Sequence, residues 1–226
     1  MKKIIIKSTL PFILLFLISA SLFAGKPFEG VITYKISYPD NKYSEAQLNL
    51  FPKVMTVSIK GSKARTEVNI GGGATVQILD CATKTKTTLI DMMGQKFAIK
   101  ETAEEIEKDN AQLQKGTVNI TNETKNIAGY NCKKANVTTE EDGIKTTFEA
   151  WFTDEIGGKD ANFDKPVYQE IPGVMLEFVL TTPQINMKLD ASSIEKKAVS
   201  SKDFEIPADY TLTTQEELKS KFGGGE

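Results

Sequence analysis

Apolar and polar residues alternate along most of the chain, in short segments that are separated by turn residues. Alternation at 31–38 and 55–60 is typical of antiparallel strands that bury one face. The same pattern recurs at 64–70, 74–82, 86–92, 95–100, 117–125, 130–139, 144–154, 174–182 and 185–195. Turn residues at 60–63, 71–73 and 141–143 predict hairpin connections. We therefore predict about ten strands, joined mostly by tight turns.

Three short segments are instead predicted to be helices. Ser44, Thr102 and Thr214 each precede a Glu or Gln by three residues, which is the pattern of a reciprocal helix cap. The segment after Thr102 is the longest, and its apolar residues share one face. We expect this helix to lie against the sheet.

These elements together predict a mainly β (α+β) fold. One or two short helices are too small to cover a flat sheet of ten strands, so the sheet is expected to curl. We predict a curved antiparallel sheet that forms a half-barrel over one or two short helices, or a closed barrel. A two-sheet sandwich is the competing architecture.

The first 24 residues have the pattern of a secretory signal peptide. Three lysines precede an apolar stretch from 10 to 23, and Ala24 follows as a small residue at the exit. No cysteine lies near this boundary, so we expect cleavage near Ala24 without lipid attachment. We therefore predict a signal peptide at 1–24, a single domain at 25–226, and no stable membrane insertion after cleavage.

Composition excludes several classes of function. The chain has no histidine, which removes Ser-His-Asp and Cys-His catalysis and the histidine-based zinc sites. Arg65 is the only arginine, and the formal net charge is −2, so nucleic-acid binding is disfavoured. Removing the signal peptide takes away three lysines and no acids. We expect no nucleic-acid partner and no cofactor.

Two cysteines and one acidic segment are the candidates for a cross-link and a metal. Cys81 and Cys132 both fall in predicted strands, and export favours a disulfide between them, with two buried free thiols as the alternative. The segment 160–164 has the oxygen-ligand spacing that opens a calcium loop. Lys165 and Ile171 stand where that loop needs Gly and Glu, so we predict no metal site.

Apolar residues recur at alternate positions on three neighbouring predicted strands. Such a set is either a packed core or the lining of a cavity that a curled sheet leaves open. On the second interpretation, Phe148, Phe152, Phe178 and Met187 line a ligand cavity, and the helix after Thr102 is its lid. The full set is Phe148, Phe152, Leu176, Phe178, Leu180, Ile185, Met187 and Leu189.

Several sequence blocks carry a family resemblance. IAGYNCKKA at 127–135, AWFTDEI at 150–156 and IPGVML at 171–176 resemble the exported Bacteroidetes domain-of-unknown-function family 4412 and the related GLPGLI-type family. FEIPADY at 204–210 and FEGVITY at 28–34 fit the same pattern. The resemblance implies a periplasmic protein whose fold is similar to that of the LolA/LolB-type lipoprotein carriers, and it implies no catalytic residues.

Two functional hypotheses follow, and neither is an enzyme. The first is a periplasmic carrier that shields an apolar ligand, such as a lipid, an acyl chain or a lipoprotein, in a half-barrel cavity. The second is a cell-envelope interaction module with a filled core, which binds a protein partner through its rim loops. A hydrolase that uses carboxylates alone is the third class, and it needs two carboxylates about 5–10 Å apart.

Overall fold

The computed structural model describes residues 27–39, 42–70, 73–92, 94–113, 115–141, 143–181 and 185–222. The predicted signal peptide at 1–24 lies outside the described residues, as do positions 71, 72 and 142 of the predicted turns. Every helix in the described part of the chain is too short or too polar to cross a membrane.

Within the described residues, twelve strands form one open sheet, which confirms the predicted mainly β fold. β1 (Glu29–Ser37) lies in the middle of the sheet, between two antiparallel meanders. The first meander contains β2 (Val54–Lys60), β3 (Lys63–Ile70), β4 (Gly73–Asp80), β5 (Thr85–Met92) and β6 (Gln95–Glu101). The second contains β7 (Thr117–Ile127), β8 (Tyr130–Glu141), β9 (Ile144–Thr153), β10 (Val174–Thr181) and β11 (Asn186–Lys196).

The last strand, β12 (Thr211–Thr213), was not predicted. It pairs in parallel with β6 at one edge of the sheet, so the sheet is mixed rather than purely antiparallel. Three residues are too few to give a recognisable alternation, which is why the sequence pattern did not reveal it.

Three α-helices form where reciprocal caps were predicted. They are α1 (Glu45–Leu48), α2 (Ala103–Ala111) and α3 (Gln215–Phe222). Ser44 and Thr102 cap α1 and α2 in the reciprocal arrangement, and Thr214 exchanges the equivalent hydrogen bonds with Glu217. Two 3₁₀ helices, Pro166–Tyr168 and Ser201–Phe204, complete the described elements.

β1 joins the two meanders through its two ladders. It pairs with β2 on one side and with β11 on the other, both antiparallel. Ile32, Tyr34 and Ile36 alternate on one face of β1, which we call the inner face, and all three are buried in the main core cluster. Leu189 of β11 and Leu176 of β10, from the second meander, are buried in the same cluster.

The opposite face of β4–β6 has a separate core. Val76, Leu89 and Ala98 are buried there beneath Val199 and Phe204, which belong to the chain that follows β11. On the inner face, α2 covers the same strands, because Ile106 is buried against Leu79 and Phe163. Both faces of this meander are therefore covered, one by the helix that directly follows β6 and the other by the chain after β11.

The hairpin between β7 and β8 provides a test of the local backbone. Ala128 and Gly129 both have positive φ, +50° and +91°, as a two-residue type I′ turn requires. Alanine is strained in this region, whereas asparagine tolerates it. Replacing Ala128 with Asn is therefore expected to stabilise the protein by about 0.5–1 kcal/mol, measured by urea denaturation.

Replacing Gly129 with Ala is the matched comparison and is expected to destabilise the protein. A lower free energy of unfolding for Ala128→Asn than for the parent chain would contradict the assignment of backbone strain to Ala128.

Candidate functional site

An apolar cavity of about 190 Å³ lies on the inner face of the sheet. Its apolar lining comes from both meanders and from β1, and includes Tyr34, Met55, Val57, Ile59, Phe178 and Leu180. β3 and β10 are four places apart in the sheet, which in a flat sheet corresponds to about 19 Å. Ala64 of β3 and Phe178 of β10 nevertheless line the same cavity, so the sheet curves around it.

The segment 157–165, between β9 and β10, forms one wall of the cavity. Gly157, Ala161 and Asn162 of this cavity wall are among the lining residues. Asn162 is 4% exposed, and its amide donates hydrogen bonds to the carbonyls of Ile171 (3.0 Å) and Gly173 (2.9 Å). These two bonds fasten the wall to the start of β10.

Four aromatic rings extend from the cavity into the core. Edge-to-face contacts link Tyr34 to Phe178 (6.1 Å between centroids), Phe178 to Tyr168 (6.0 Å) and Tyr168 to Phe148 (5.8 Å). The Tyr34 hydroxyl donates to the Met175 carbonyl at 2.8 Å, and the Tyr168 hydroxyl donates to the Val179 carbonyl. Burial raises the pKa of both phenols, so both remain neutral donors that fix the rings.

Of the four ligand-binding residues predicted from sequence, Phe178 lines the cavity and the other three do not. Phe152 is 1% exposed within the main core, and Phe148 packs on Tyr168. Met187 is partly buried against the core. Alternation identified this set of apolar positions, but it could not show which of them the curved sheet leaves uncovered.

The predicted lid is also wrong. α2 lies over Leu79 and Phe163, and it borders a second cavity of about 240 Å³ rather than the apolar one. The second cavity is more polar, with Lys84, Glu107 and Asn110 among its lining residues. The cavity wall at 157–165 takes the place that was expected for this helix.

Cys81 and Cys132 do not form the predicted disulfide, and both are free thiols. Cys81 follows β4 and packs near the Leu79 cluster, whereas Cys132 lies on β8 within the main core. β4 and β8 are seven places apart in the sheet, an order that sequence spacing did not reveal. Burial raises the pKa of the Cys132 thiol to about 11 and also raises that of Cys81.

Trp151 lies away from the cavity. It alternates with Ala150 and Phe152 on β9, and the Lys125 ammonium lies 4.2 Å from its ring centroid. The same ammonium lies 2.6 Å from a Glu177 carboxylate oxygen. Trp151 is 8% exposed, so these lysine and glutamate side chains cover it rather than leave it free for a ligand.

Sequence patterns did not point to a row of polar side chains on the inner face. Thr66 of β3, Gln77 of β4 and Thr88 of β5 are consecutive partners across the sheet, and Thr66 and Gln77 line the apolar cavity. We call these three residues the polar row. The available signal was on β3, where the inner-face position Thr66 is polar between Ala64 and Val68.

Acidic residues do not gather into a metal site in the described part of the chain, where no group of three or more Cys, Asp or Glu is placed to hold an ion. In the segment that resembles a calcium loop, Asp160 pairs with Lys84 at 3.5 Å and Asp164 with Lys165 at 2.7 Å. The described lining of the apolar cavity includes no carboxylate.

The cavity wall depends on Asn162. Replacing Asn162 with Leu removes the side-chain donor to the carbonyls of Ile171 and Gly173, and the Ile171 carbonyl keeps only its bond from the Gly173 N–H. The loss is expected to cost about 1–3 kcal/mol. Urea denaturation measures the loss. The same substitution at Asn131, which is exposed on β8, is the control and is expected to change stability by less than about 0.5 kcal/mol. Equal effects at the two positions would contradict the assigned role.

The two thiols differ in accessibility, and this can be measured by alkylation without a reductant. Cys81 is partly exposed, whereas Cys132 is 0% exposed. Iodoacetamide is expected to add one group to the native protein, at Cys81, and two groups to the denatured protein. Mass spectrometry counts them. A denatured protein that takes up no label would instead indicate a disulfide.

Comparison with known proteins corrects the family and the class of protein expected from sequence. The family model described as "N-glycanase peptide, N-terminal domain" matches residues 76–217, which is more than half of the chain. A search of the curated proteins finds no match. The resemblance to family 4412 and the GLPGLI-type proteins is therefore wrong, as is the LolA-like assignment. The expectation of a non-enzyme is also contradicted, because the matched family is named for an N-glycanase. This chain belongs to the family of the N-glycanase N-terminal domain.

Proposed function

We propose that this chain is the ligand-binding part of an N-glycanase and that its cavity receives an apolar group of the ligand. The observation that carries the proposal is the apolar cavity on the inner face, between β1–β3, β10 and the wall at 157–165. The family description supplies the N-glycanase context. The signal-like pattern of residues 1–24 supports a periplasmic location for this function.

The size of the cavity limits the group that it can hold. An engineered apolar cavity of about 150 Å³ in another protein binds benzene. A cavity of about 190 Å³ is therefore suited to a phenyl ring or a short alkyl chain. Removing such a group from water supplies the binding energy, at about 25 cal/mol for each Å² of apolar surface buried.

The charges around the cavity favour binding rather than hydrolysis at this site. The charged residues among its described lining are Lys63 and Lys165. Lys165 pairs with Asp164 at 2.7 Å, and the Lys63 ammonium lies 3.9 Å from an Asp80 oxygen. A hydrolase that uses carboxylates alone needs two of them about 5–10 Å apart, and the described lining of the cavity includes no carboxylate. The proposal therefore assigns the cavity to holding the ligand within the N-glycanase.

Filling the cavity from within is the sharpest test of this function. Ala64 lines the cavity from β3 and is partly buried. Replacing Ala64 with Leu places a larger apolar side chain in the empty space, so we expect butylbenzene binding to weaken at least about tenfold, the effect of losing about 1.4 kcal/mol. Titration calorimetry measures the affinity, and thermal denaturation checks that the variant remains folded.

The matched control is Ala208→Leu, since Ala208 is exposed and is not among the residues that line the cavity. This variant is expected to bind butylbenzene as the parent chain does. A parent chain that does not bind butylbenzene, or an Ala64→Leu variant that binds it equally well, would refute the proposed cavity function.

The N-glycanase context has its own test. An N-glycosylated peptide with a phenylalanine beside the glycosylated asparagine is expected to displace butylbenzene from the parent chain. If butylbenzene binds but no such glycopeptide displaces it, the cavity binds apolar ligands outside the N-glycanase context, and that part of the proposal is wrong.

A further inference from the structure

The polar row lies beside the apolar cavity and has hydrogen-bonding capacity that the protein does not use. Thr66 pairs with Gln77, and Gln77 with Thr88, on adjacent strands of the inner face. All three side chains are half-buried. Within the part of the chain that the structure describes, none of the three side chains hydrogen-bonds to another protein group. Two hydroxyls and one amide are therefore available to a ligand.

The charges next to this row are already neutralised. Leu79, Lys86 and Glu101 are consecutive partners in the neighbouring row of the same face. The Lys86 ammonium lies 2.9 Å from a Glu101 oxygen, and the two side chains are 19% and 9% exposed. A charge placed beside this pair would face a lysine and a glutamate that already neutralise each other. An uncharged ligand group avoids the cost of burying such a charge.

Half-buried hydroxyl and amide groups favour partners of their own kind. Removing water from such groups costs free energy unless a new hydrogen bond replaces the one to water. An amide or hydroxyl of the ligand can form that bond. Thr66 and Gln77 border both the cavity and the row. One ligand can therefore fill the cavity and contact these side chains at the same time.

We propose that the polar row is the polar half of the binding site, and that the ligand is an uncharged amphiphile. Its phenyl or alkyl group fills the apolar cavity, and an adjoining amide or hydroxyl exchanges hydrogen bonds with Thr66 and Gln77. This inference rests on the proposed function, because it assumes that the cavity is occupied, and it adds the class of ligand.

A series of ligands with one shared apolar group tests this class directly. The series is butylbenzene, 4-phenylbutanamide, 4-phenylbutanoate and 4-phenylbutylamine, each titrated into the parent chain at neutral pH. The amide is expected to bind at least about fivefold more tightly than the carboxylate or the ammonium. A ratio of this size corresponds to the net free energy of one hydrogen bond. This comparison needs no variant, so it stays informative whatever any substitution does to folding.

Two substitutions test whether the preference for the amide arises at the polar row. Thr66→Val keeps the shape of the side chain and removes its hydroxyl, and Gln77→Leu removes the amide. Each is expected to weaken binding of 4-phenylbutanamide about fivefold more than binding of butylbenzene, which reports any change in the cavity of the same variant. Thr146→Val, at an exposed position of β9, is the matched control and is expected to leave both affinities unchanged.

The outcomes separate the two proposals. If butylbenzene does not bind the parent chain, the proposed cavity function fails. If butylbenzene binds but the carboxylate or the ammonium binds as tightly as the amide, only the assignment of the polar row is overturned. Unchanged amide binding in Thr66→Val and Gln77→Leu overturns the same assignment.

Discussion

The ladder between β1 and β11 is the constraint on which the rest of the structure depends. It pairs residues more than 150 positions apart, such as Ile36 with Leu189 and Tyr34 with Ala191, and it joins the two meanders into one sheet. Forming it closes a long loop of chain, a cost that buried side chains such as Ile32 must offset. Tyr34 and Phe178 come into contact across this junction, so the cavity forms where the meanders meet.

The covering of the sheet follows from that arrangement. The first meander has apolar side chains on both faces, and it is covered by α2 on one face and by the chain after β11 on the other. Near β1 and β10 the inner face is covered by the wall at 157–165, which Asn162 holds in place. This short wall does not fill the space that the curved sheet encloses, and an apolar cavity remains.

Local features could be predicted from the sequence, and long-range ones could not. The period-two alternation located most strands, and the three caps located the helices, because both depend on residues close together in the chain. Strand order has no such local signal, so Cys81 and Cys132 were paired although β4 and β8 are far apart. Phe148 and Phe152 were expected in the cavity for the same reason. The polar row was not predicted because Thr and Gln on a strand are also the residue types expected on an exposed surface.

The residues that line the cavity extend beyond the part of the chain that the family model matches. The match begins at residue 76, within β4, and so includes Gln77, the wall at 157–165 and Phe178. Tyr34, Val57 and Ala64 line the cavity from strands that precede the match. Strands β1–β3 pair with the matched region on both sides, through β4 and through β11. Because the cavity lies over these strands and their matched neighbours, the ligand preference of this site depends on residues inside and outside the matched region together.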